Sequence, residues 1–211
     1  MTAGFVRPAR LLDADAIVSA ALAAWSQMPW LSLGQESAAS DEMSAQWQSL
    51  LHTMGNAPST TSEQSMLPDG GATLAPVPDA AVLVATEAND HVIGWLLLSA
   101  AHDSLPGGVC EVLDLVVAPE HQRQGHGSRL MHAAADTARQ RGAAWLCTWC
   151  PLPDEPRRAF LIAHGFAPDG AVRDLAGGGS STEALSGEPS EQDIMLREVR
   201  LIANLGADED R

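Results

Sequence analysis

Residues 115–131, LVVAPEHQRQGHGSRLM, are the most informative stretch of the sequence. A strand ends at Pro119, a helix begins near Gly127, and two glycines lie in the turn. The first amides of a helix have no acceptor within the helix and carry the positive end of its dipole. Glycine lets an anion approach such amides closely, and Arg123 and Arg129 add positive charge. The turn therefore predicts an anion site suited to a phosphate.

Two other kinds of phosphate-binding loop do not fit this turn. A P-loop needs the lysine of GxxxxGK[ST], and the chain contains no lysine. A GxGxxG dinucleotide fingerprint would need a third glycine where Leu130 stands. That fingerprint also opens a βαβ fold, whereas this turn follows several predicted strands.

The sequence on either side of the turn predicts further strands and helices. β-rich runs predict strands over residues 5–7, 81–86, 91–100, 109–117, 144–150 and 194–199. Apolar residues at helical spacing predict helices over residues 13–25, 43–51, 128–141 and 156–164. A chain of 211 residues fits one domain of ordinary size.

The irregular segments set the boundaries of that domain. We predict a single domain over residues 1–199, with a flexible insertion at about 53–79 and a Gly/Ser-rich loop at 177–189. Residues 200–211 are predicted to form a charged tail.

Charge and cysteine content narrow the class of protein. Acidic residues number 27 against 12 basic ones, and the net charge of -15 argues against binding nucleic acid or an anionic membrane. Such a charge suits a cationic amine, or it only keeps the protein soluble. The three cysteines are too few for a secreted disulfide framework, Asp13 and Asp15 interrupt any signal-peptide core, and the apolar run 92–101 is too short to span a bilayer. These features predict a cytoplasmic, soluble protein.

Several segments together match one known family. A hydrophobic strand followed by V-x-P and Q/R-x-x-G-x-G/A matches Val117, Pro119, Gln122, Gly125 and Gly127. The opening FVRPARLLDADAI, the run VIGWLLLSA and the segment FLIAHGF match other parts of the same family in the same order. In these segments the chain resembles the GNAT superfamily of N-acetyltransferases, over most of residues 1–12 and 81–199. The resemblance implies an α/β fold of the GNAT acyl-CoA N-acyltransferase type, with a mixed central β-sheet flanked by helices on both faces.

The resemblance also implies a binding site for acetyl-CoA as cosubstrate. Backbone groups of Leu115, Val116 and Val117 would bind the pantetheine arm between two parallel strands that diverge. The pyrophosphate would be held by Gln122, Arg123, Gln124, Gly125, His126, Gly127 and Ser128. We expect the His126 side chain to face solvent. The alternative is that the turn only links a strand to a helix.

Glu111 and Asp114 are the candidate catalytic carboxylates. Both lie in an otherwise apolar strand, where burial raises the pKa of an unpaired carboxyl group toward neutrality. In a regular strand the two side chains point to opposite faces, so only one would face the substrate unless a bulge intervenes. Glu111 lies eleven residues before Gln122, a position that resembles that of the base in histone-type members, and we favour it. Either carboxylate could instead be a paired structural group.

The general acid is left open by the sequence. The family's tyrosine aligns with Leu161, and the chain contains no tyrosine. Cys147, Cys150, His164 or a water molecule could protonate the thiolate, or it could leave unassisted.

No metal site is predicted. The CxxC pair Cys147 and Cys150 lies in a predicted strand without a second pair, and we expect buried thiols. No two of His121, His126 and His132 are spaced i, i+4 on a helix.

Taken together, the sequence predicts an N-acetyltransferase that transfers acetyl from acetyl-CoA to a primary amine of a small molecule or peptide by direct attack. One alternative is an acyl-CoA-binding sensor or partner module without turnover, suggested by the missing tyrosine. Another is an unrelated anion-binding α/β protein. The acceptor and the oligomeric state do not follow from the sequence, and a homodimer is one assembly that it leaves open.

Overall fold

The fold is seen in a computed structural model that describes residues 4–28, 36–55, 80–87, 89–101, 105–175 and 196–206. The strands are β1 (Phe5–Pro8), β2 (Ala81–Thr86), β3 (Val92–Ala100), β4 (Val109–Val117), β5 (Trp145–Pro151), β6 (Ala167–Leu175) and β7 (Leu196–Asn204). The α-helices are α1 (Ala14–Trp25), α2 (Glu36–Gly55), α3 (His126–Gln140) and α4 (Glu155–Ala163). Short 3-10 turns, Leu11–Asp13 and Pro119–His121, precede α1 and α3.

The strands form one mixed sheet in the order β1-β2-β3-β4-β5-β7-β6. Every neighbouring pair is antiparallel except β4 and β5, which run parallel. Because β4 and β5 run parallel, the chain must cross over between them, and α3 makes this crossover.

Each face of the sheet is covered by helices. Residues of α3 and α4 share one buried cluster with the sheet, whose members include Leu130, Leu161 and Leu96. Residues of α1 and α2 share a second cluster, which includes Ile17 and Trp95. We call these two sides the α3 face and the α1 face. The mixed sheet with helices on both faces, predicted from the sequence, is confirmed.

An ionic cluster fixes β1 to the start of α1. The buried carboxylate of Asp13 accepts hydrogen bonds from Arg7 at 2.7 and 3.0 Å and from the backbone amide of Arg10 at 2.6 Å. The Nε of Arg7 also donates to Asp90, at 2.8 Å, in the turn between β2 and β3. These bonds hold the pKa of Asp13 below its usual value, although burial alone would raise it.

Two predicted boundaries differ from the structure. The tail predicted from residue 200 is wrong at its start, because β7 continues to Asn204 with Leu201 and Ala203 buried between β5 and β6 neighbours. The insertion predicted from about residue 53 also starts too early, since α2 extends to Gly55. Its remaining residues 56–79, and the loop 177–189, lie outside the described residues.

Within the described ranges, none of the helices combines the length and the apolar character that crossing a bilayer requires.

Candidate active site

The parallel strands β4 and β5 diverge part of the way along their length. Residues 109–112 pair with residues 145–148, and the pairing stops there. β4 nevertheless continues to Val117 along β3, and β5 continues to Pro151 along β7. At the last paired row, the buried Thr148 hydroxyl donates to the carbonyl of Val112 at 2.8 Å. An opening therefore widens between residues 113–117 and 149–151, and we call it the β4–β5 opening.

A bulge in β4 puts both candidate carboxylates on the same face. Leu98 pairs with Val112 and Leu97 pairs with Asp114, so Leu113 has no partner on β3. The extra residue reverses the alternation that the sequence predicts for a regular strand. Asp114 shares the face of its partner Leu97, and Glu111 shares that of Ser99, two residues further along β3. Because Leu97 packs with the α1-face cluster, both carboxylates lie on the α1 face.

Glu111 lies at the narrow end of the opening, one row before the pairing stops, beside Cys147 of β5. Burial raises the pKa of this carboxyl group above its ordinary value. The nearby charges of Arg173 and Arg200 oppose that rise, and Glu198 adds to it. A half-buried carboxyl group with a raised pKa is a chemically reasonable proton acceptor near neutral pH.

Asp114 is a paired carboxylate. Its Oδ1 accepts a hydrogen bond from the amide of Leu115 at 2.8 Å and another from Nη2 of Arg157, on α4, at 3.2 Å. The ion pair therefore joins β4 to α4 beyond the point where β4 and β5 separate. This is the structural alternative that the sequence left open for Asp114, and the geometry favours Glu111 as the candidate base.

The edge of β4 presents backbone groups to the opening. The amide of Ala118 donates to Ile93 on β3 at 2.9 Å, so alternate groups, at Leu115 and Val117, point away from β3. The side chain of Gln122 donates to the Val117 carbonyl at 3.0 Å. The Val116 amide, in contrast, is on the β3 side.

The turn after β4 forms a row of donors without acceptors. Arg123 and Gly125 have positive φ angles of 60° and 87°, and α3 begins at the next residue, His126. The backbone amides of residues 123–128 donate no hydrogen bond to any part of the chain that the structure describes. Consecutive amides in alternating conformations at a helix start form an anion-binding concavity. β4 leads directly into this turn, which therefore lies at the wide end of the β4–β5 opening.

The His126 side chain is not in solvent, contrary to the sequence-based expectation. It is only 8% exposed, and its Nδ1 has no partner among the described residues. Burial lowers the pKa of His126, and the charges of Arg129 and His121 lower it further. The imidazole is therefore neutral at physiological pH, so the anion site takes only the backbone amide from this residue.

Gly127 allows α3 to approach α4. A Cβ atom at this position would lie 3.4 Å from two atoms of the Phe160 ring and 3.9 Å from Val117 Cγ2. An alanine would just fit, whereas the branched carbon of valine would enter the space held by the ring. Packing against Phe160 therefore limits this position to glycine or alanine, in addition to any role in anion binding.

The side chains considered as general acids are buried or hydrogen-bonded within the protein. Leu161, at the family's tyrosine position, is 2% exposed in the α3-face core. The Cys150 thiol is fully buried, and burial raises its pKa to about 11. Cys147 is buried as well, and Nδ1 of His164 donates to the Phe160 carbonyl at 2.7 Å. The buried cysteines are those expected from the sequence, and the identity of the acid stays open.

A cluster that the sequence did not predict lies beside Glu111 on the α1 face. The guanidinium carbon of Arg173 lies 4.4 Å from the centroid of the Trp149 ring, and that of Arg200 lies 5.9 Å from it. Arg173 Nε donates to the buried Glu198 at 2.6 Å. Glu198 and Arg200, two residues apart in a strand, share a face, and this alternation was the available signal. It was missed because the predicted strand ended at residue 199.

No group of three or more His, Cys, Asp or Glu side chains within the described ranges is arranged to hold a metal ion.

Known proteins share this arrangement of strands and helices. A family profile described as "Acetyltransferase (GNAT) family" matches residues 46–166. No curated protein matches the sequence. An N-acetyltransferase from Staphylococcus aureus Mu50 aligns with a TM-score of 0.62 at 14% identity, covering 97% of this chain and 99% of that chain. The PaiA N-acetyltransferase from Thermoplasma acidophilum, solved in complex with coenzyme A, aligns with a TM-score of 0.59 at 13% identity, covering 96% of this chain and 99% of that chain.

A third solved structure gives the same result. The ribosomal-protein-alanine N-acetyltransferase from Brucella melitensis aligns with a TM-score of 0.59 at 15% identity, covering 95% of this chain and 99% of that chain. At these identities the structural likeness shows the fold, and the profile match covers more than half of the sequence.

Proposed function

The chain belongs to the GNAT acetyltransferase family, and from that premise we propose that it transfers acetyl from acetyl-CoA to a primary amine of a small molecule or peptide. One observation carries the proposal. The amides of residues 123–128, which donate to no group in the described part of the chain, lie at the wide end of the β4–β5 opening, and Glu111 lies at its narrow end. A cosubstrate in which an extended arm joins a diphosphate to a thioester fits such a site.

The residues present fit acetyl-CoA at two places. The amides of residues 123–128 would bind the diphosphate, because they are donors without acceptors within the described part of the chain. Backbone groups of Leu115 and Val117 would bind the pantetheine arm along the free edge of β4. Between Val112 and Val117 this edge extends for about 16 Å, long enough for an extended arm. The amide of Leu115 would first have to exchange its bond with Asp114.

In the proposed reaction, bound acetyl-CoA supplies the activated acyl group. The amine nitrogen forms a bond to the carbonyl carbon, the carbon–sulfur bond breaks, and the sulfur leaves as a thiolate. Glu111 accepts the proton that the amine loses, directly or through water. Its raised pKa matches this role, because a base is most effective when its pKa lies close to the working pH.

A second candidate is an acyl-CoA-binding module without turnover. Two observations favour it: the position of the family's tyrosine is occupied by the buried Leu161, and the second carboxylate, Asp114, is engaged by Arg157. Neither removes the candidate base. The enzyme is therefore the better supported proposal.

Two measurements together separate the two candidates. Release of free thiol from acetyl-CoA is followed with a panel of primary amines, and the melting temperature is measured with and without acetyl-CoA. Amine-dependent thiol release that falls in Glu111→Gln supports the enzyme. Acetyl-CoA at 100 times its Kd should stabilise the folded protein by about 2.7 kcal/mol and so raise the melting temperature. A raised melting temperature without thiol release supports the module. If neither effect is seen, the anion site has another ligand and both candidates fail.

A further inference from the structure

The cluster beside Glu111 on the α1 face, formed by Trp149, Arg173, Arg200 and Glu198, is not used by the transfer reaction itself, and we call it the platform. Cys147 pairs with Glu111, and Trp149 lies two residues further along β5, so its side chain emerges on the same face. Arg200 is the β7 partner of Trp149. The platform therefore begins within one strand spacing and two residues of the candidate base.

The platform is rigidly held by its ion pairs. Arg173 lies over the Trp149 ring, and its Nε donates to Glu198 at 2.6 Å. Arg200 lies further out over the same ring and donates to Asp169 at 2.6 Å. A guanidinium that stacks on an indole and is bonded through Nε loses little further freedom when it binds a ligand.

The outer edge of Arg173 is available to a ligand. Only its Nε is bonded, its two terminal nitrogens have no partner among the described residues, and its side chain is 43% exposed. Two parallel N–H groups of a guanidinium match the two oxygens of a carboxylate. Arg173 stacks on Trp149, which lies on the same face as Glu111 and two residues beyond its β5 partner, so both groups border the same part of the α1 face. The charge of Arg173 also opposes the rise in the pKa of Glu111.

We propose that Arg173 binds a carboxylate of the acceptor, so that the acceptor is an amine that also carries a carboxylate, such as an α-amino acid. This inference rests on the proposed function and names its substrate class. The ammonium end of a zwitterion would meet Glu111, and its carboxylate would meet Arg173. A polyamine would instead offer no carboxylate to the terminal N–H groups of Arg173.

The kinetic test compares α-amino acids with the corresponding α-amino amides, which keep the amine and lose the negative charge. In the wild-type protein, kcat/KM is expected to be about 10- to 100-fold higher for the acids, the range of one charge-assisted hydrogen-bonding pair. Arg173→Gln should remove this preference, and Arg173→Lys should retain part of it, because a lysine keeps the charge and loses the fork. Because the Arg173 charge also opposes the rise in the pKa of Glu111, Arg173→Gln changes the turnover of both kinds of compound, so the readout is the ratio of kcat/KM for acids to that for amides.

Arg197→Gln is the matched control. Arg197 belongs to the same pair of strands and bonds Asp174 at 2.7 Å, but it lies one residue from Glu198 and therefore on the opposite face. The Arg197→Gln protein should prefer acids to amides by the same ratio of kcat/KM as the wild type. If Arg173→Gln fails to fold because Glu198 loses its partner, the double variant Arg173→Gln/Glu198→Gln removes both charges and should show the same loss of preference.

A binding measurement separates this inference from the proposed function. With the protein saturated in CoA, which cannot react, the indole N–H signal of Trp149, assigned with Trp149→Phe, is followed by NMR during titration with acids and amides. A change in this chemical shift that is caused by the acids alone and is lost in Arg173→Gln supports the inference. If that change is seen but no amine releases thiol, only the proposed function fails. Equal turnover of acids and amides, unchanged by Arg173→Gln, overturns the inference and leaves the function standing. Binding of neither compound overturns it as well.

Discussion

Substituting Gly125 by alanine tests whether the shape of the turn, and not only its sequence, binds the cosubstrate. Gly125 has a φ angle of 87°, and a Cβ atom there would meet no atom within 4 Å. The change therefore introduces backbone strain alone, about 1–2 kcal/mol for a left-handed residue with a side chain. Gly125 is bonded through its carbonyl, which accepts from the Arg129 amide at 3.1 Å, but the amides around it are not bonded within the described chain. The peptide groups before Gly125 can therefore relieve this strain by rotating.

The rotation would turn one or more amides away from the diphosphate. Loss of a single charge-assisted hydrogen bond, about 1.5–3 kcal/mol, weakens Kd for acetyl-CoA by about 10- to 100-fold. Isothermal titration calorimetry at constant ionic strength measures this loss. The melting temperature of the unliganded Gly125→Ala protein should fall only slightly, because the strain is relieved locally.

Gly142→Ala is the matched control at the other end of α3. Its φ angle is 78°, and a Cβ atom there would also meet nothing within 4 Å. Its amide is bonded to Arg139 at 2.9 Å, which holds the backbone in place, so the strain stays in the folded state. The melting temperature should fall by about 2–8 °C while Kd for acetyl-CoA stays at the wild-type value. Wild-type affinity for acetyl-CoA in Gly125→Ala, as in Gly142→Ala, would show that the shape of the turn does not determine binding.

Three further predictions follow from groups at and around the site. Glu111→Gln should lower kcat/KM by about 100- to 10,000-fold at pH values between the pKa of Glu111 and the pKa of the amine. The loss should shrink below the pKa of Glu111, where the wild-type carboxyl is protonated, and near the pKa of the amine, where the amine needs no base. A loss that does not depend on pH would exclude Glu111 as the base. Leu161→Tyr should lower stability by about 1–3 kcal/mol through overpacking without raising kcat, since this position is buried, and a gain in kcat would show that it reaches the reacting atoms. Asp13→Asn should lower the free energy of unfolding by about 1.5–3 kcal/mol at neutral pH. Because the folded-state pKa of Asp13 is lowered, its contribution to stability is present above the unfolded-state pKa and is lost as the pH falls through the folded-state pKa. Urea titrations from pH 7 downward should therefore show the free energies of unfolding of the wild type and of Asp13→Asn converging in acid. A difference that stays constant with pH would show that the Asp13 carboxylate does not stabilise the fold through its charge.

The arrangement of strands and helices was predictable because its signals are local. The helical spacing that ends at Gly142 and the glycine-containing turn before α3 depend only on neighbouring residues, and both are found where the sequence places them. Pairing of the strands into one mixed sheet was implied by the family resemblance.

The carboxylates were harder to predict because their orientation depends on distant residues. Whether Asp114 shares a face with Glu111 is decided by the unpaired Leu113, and a bulge is visible only when the partner strand β3 is known. The partner of Asp114, Arg157, is 43 residues away in the sequence. The burial of His126 likewise comes from contacts with other elements, among them the backbone near Gly4.

The platform on the α1 face depends on a pairing between distant strands. Trp149 and Arg200 become neighbours only when β7 inserts between β5 and β6. A single sequence gives no signal for that order, because antiparallel β6 and β7 could equally have added to the sheet in sequence. The alternation of Glu198 and Arg200 would have predicted their common face, but not what lies beside it.

The most direct measurement is a crystal structure of the protein grown with saturating acetyl-CoA. We expect diphosphate oxygens at hydrogen-bond distance, about 2.7–3.2 Å, from backbone nitrogens of residues 123–128, with the pantetheine arm lying between β4 and β5 beyond Val112. Difference density for the diphosphate at any other surface, or its absence from this turn at full saturation, would show that the turn is not the diphosphate site.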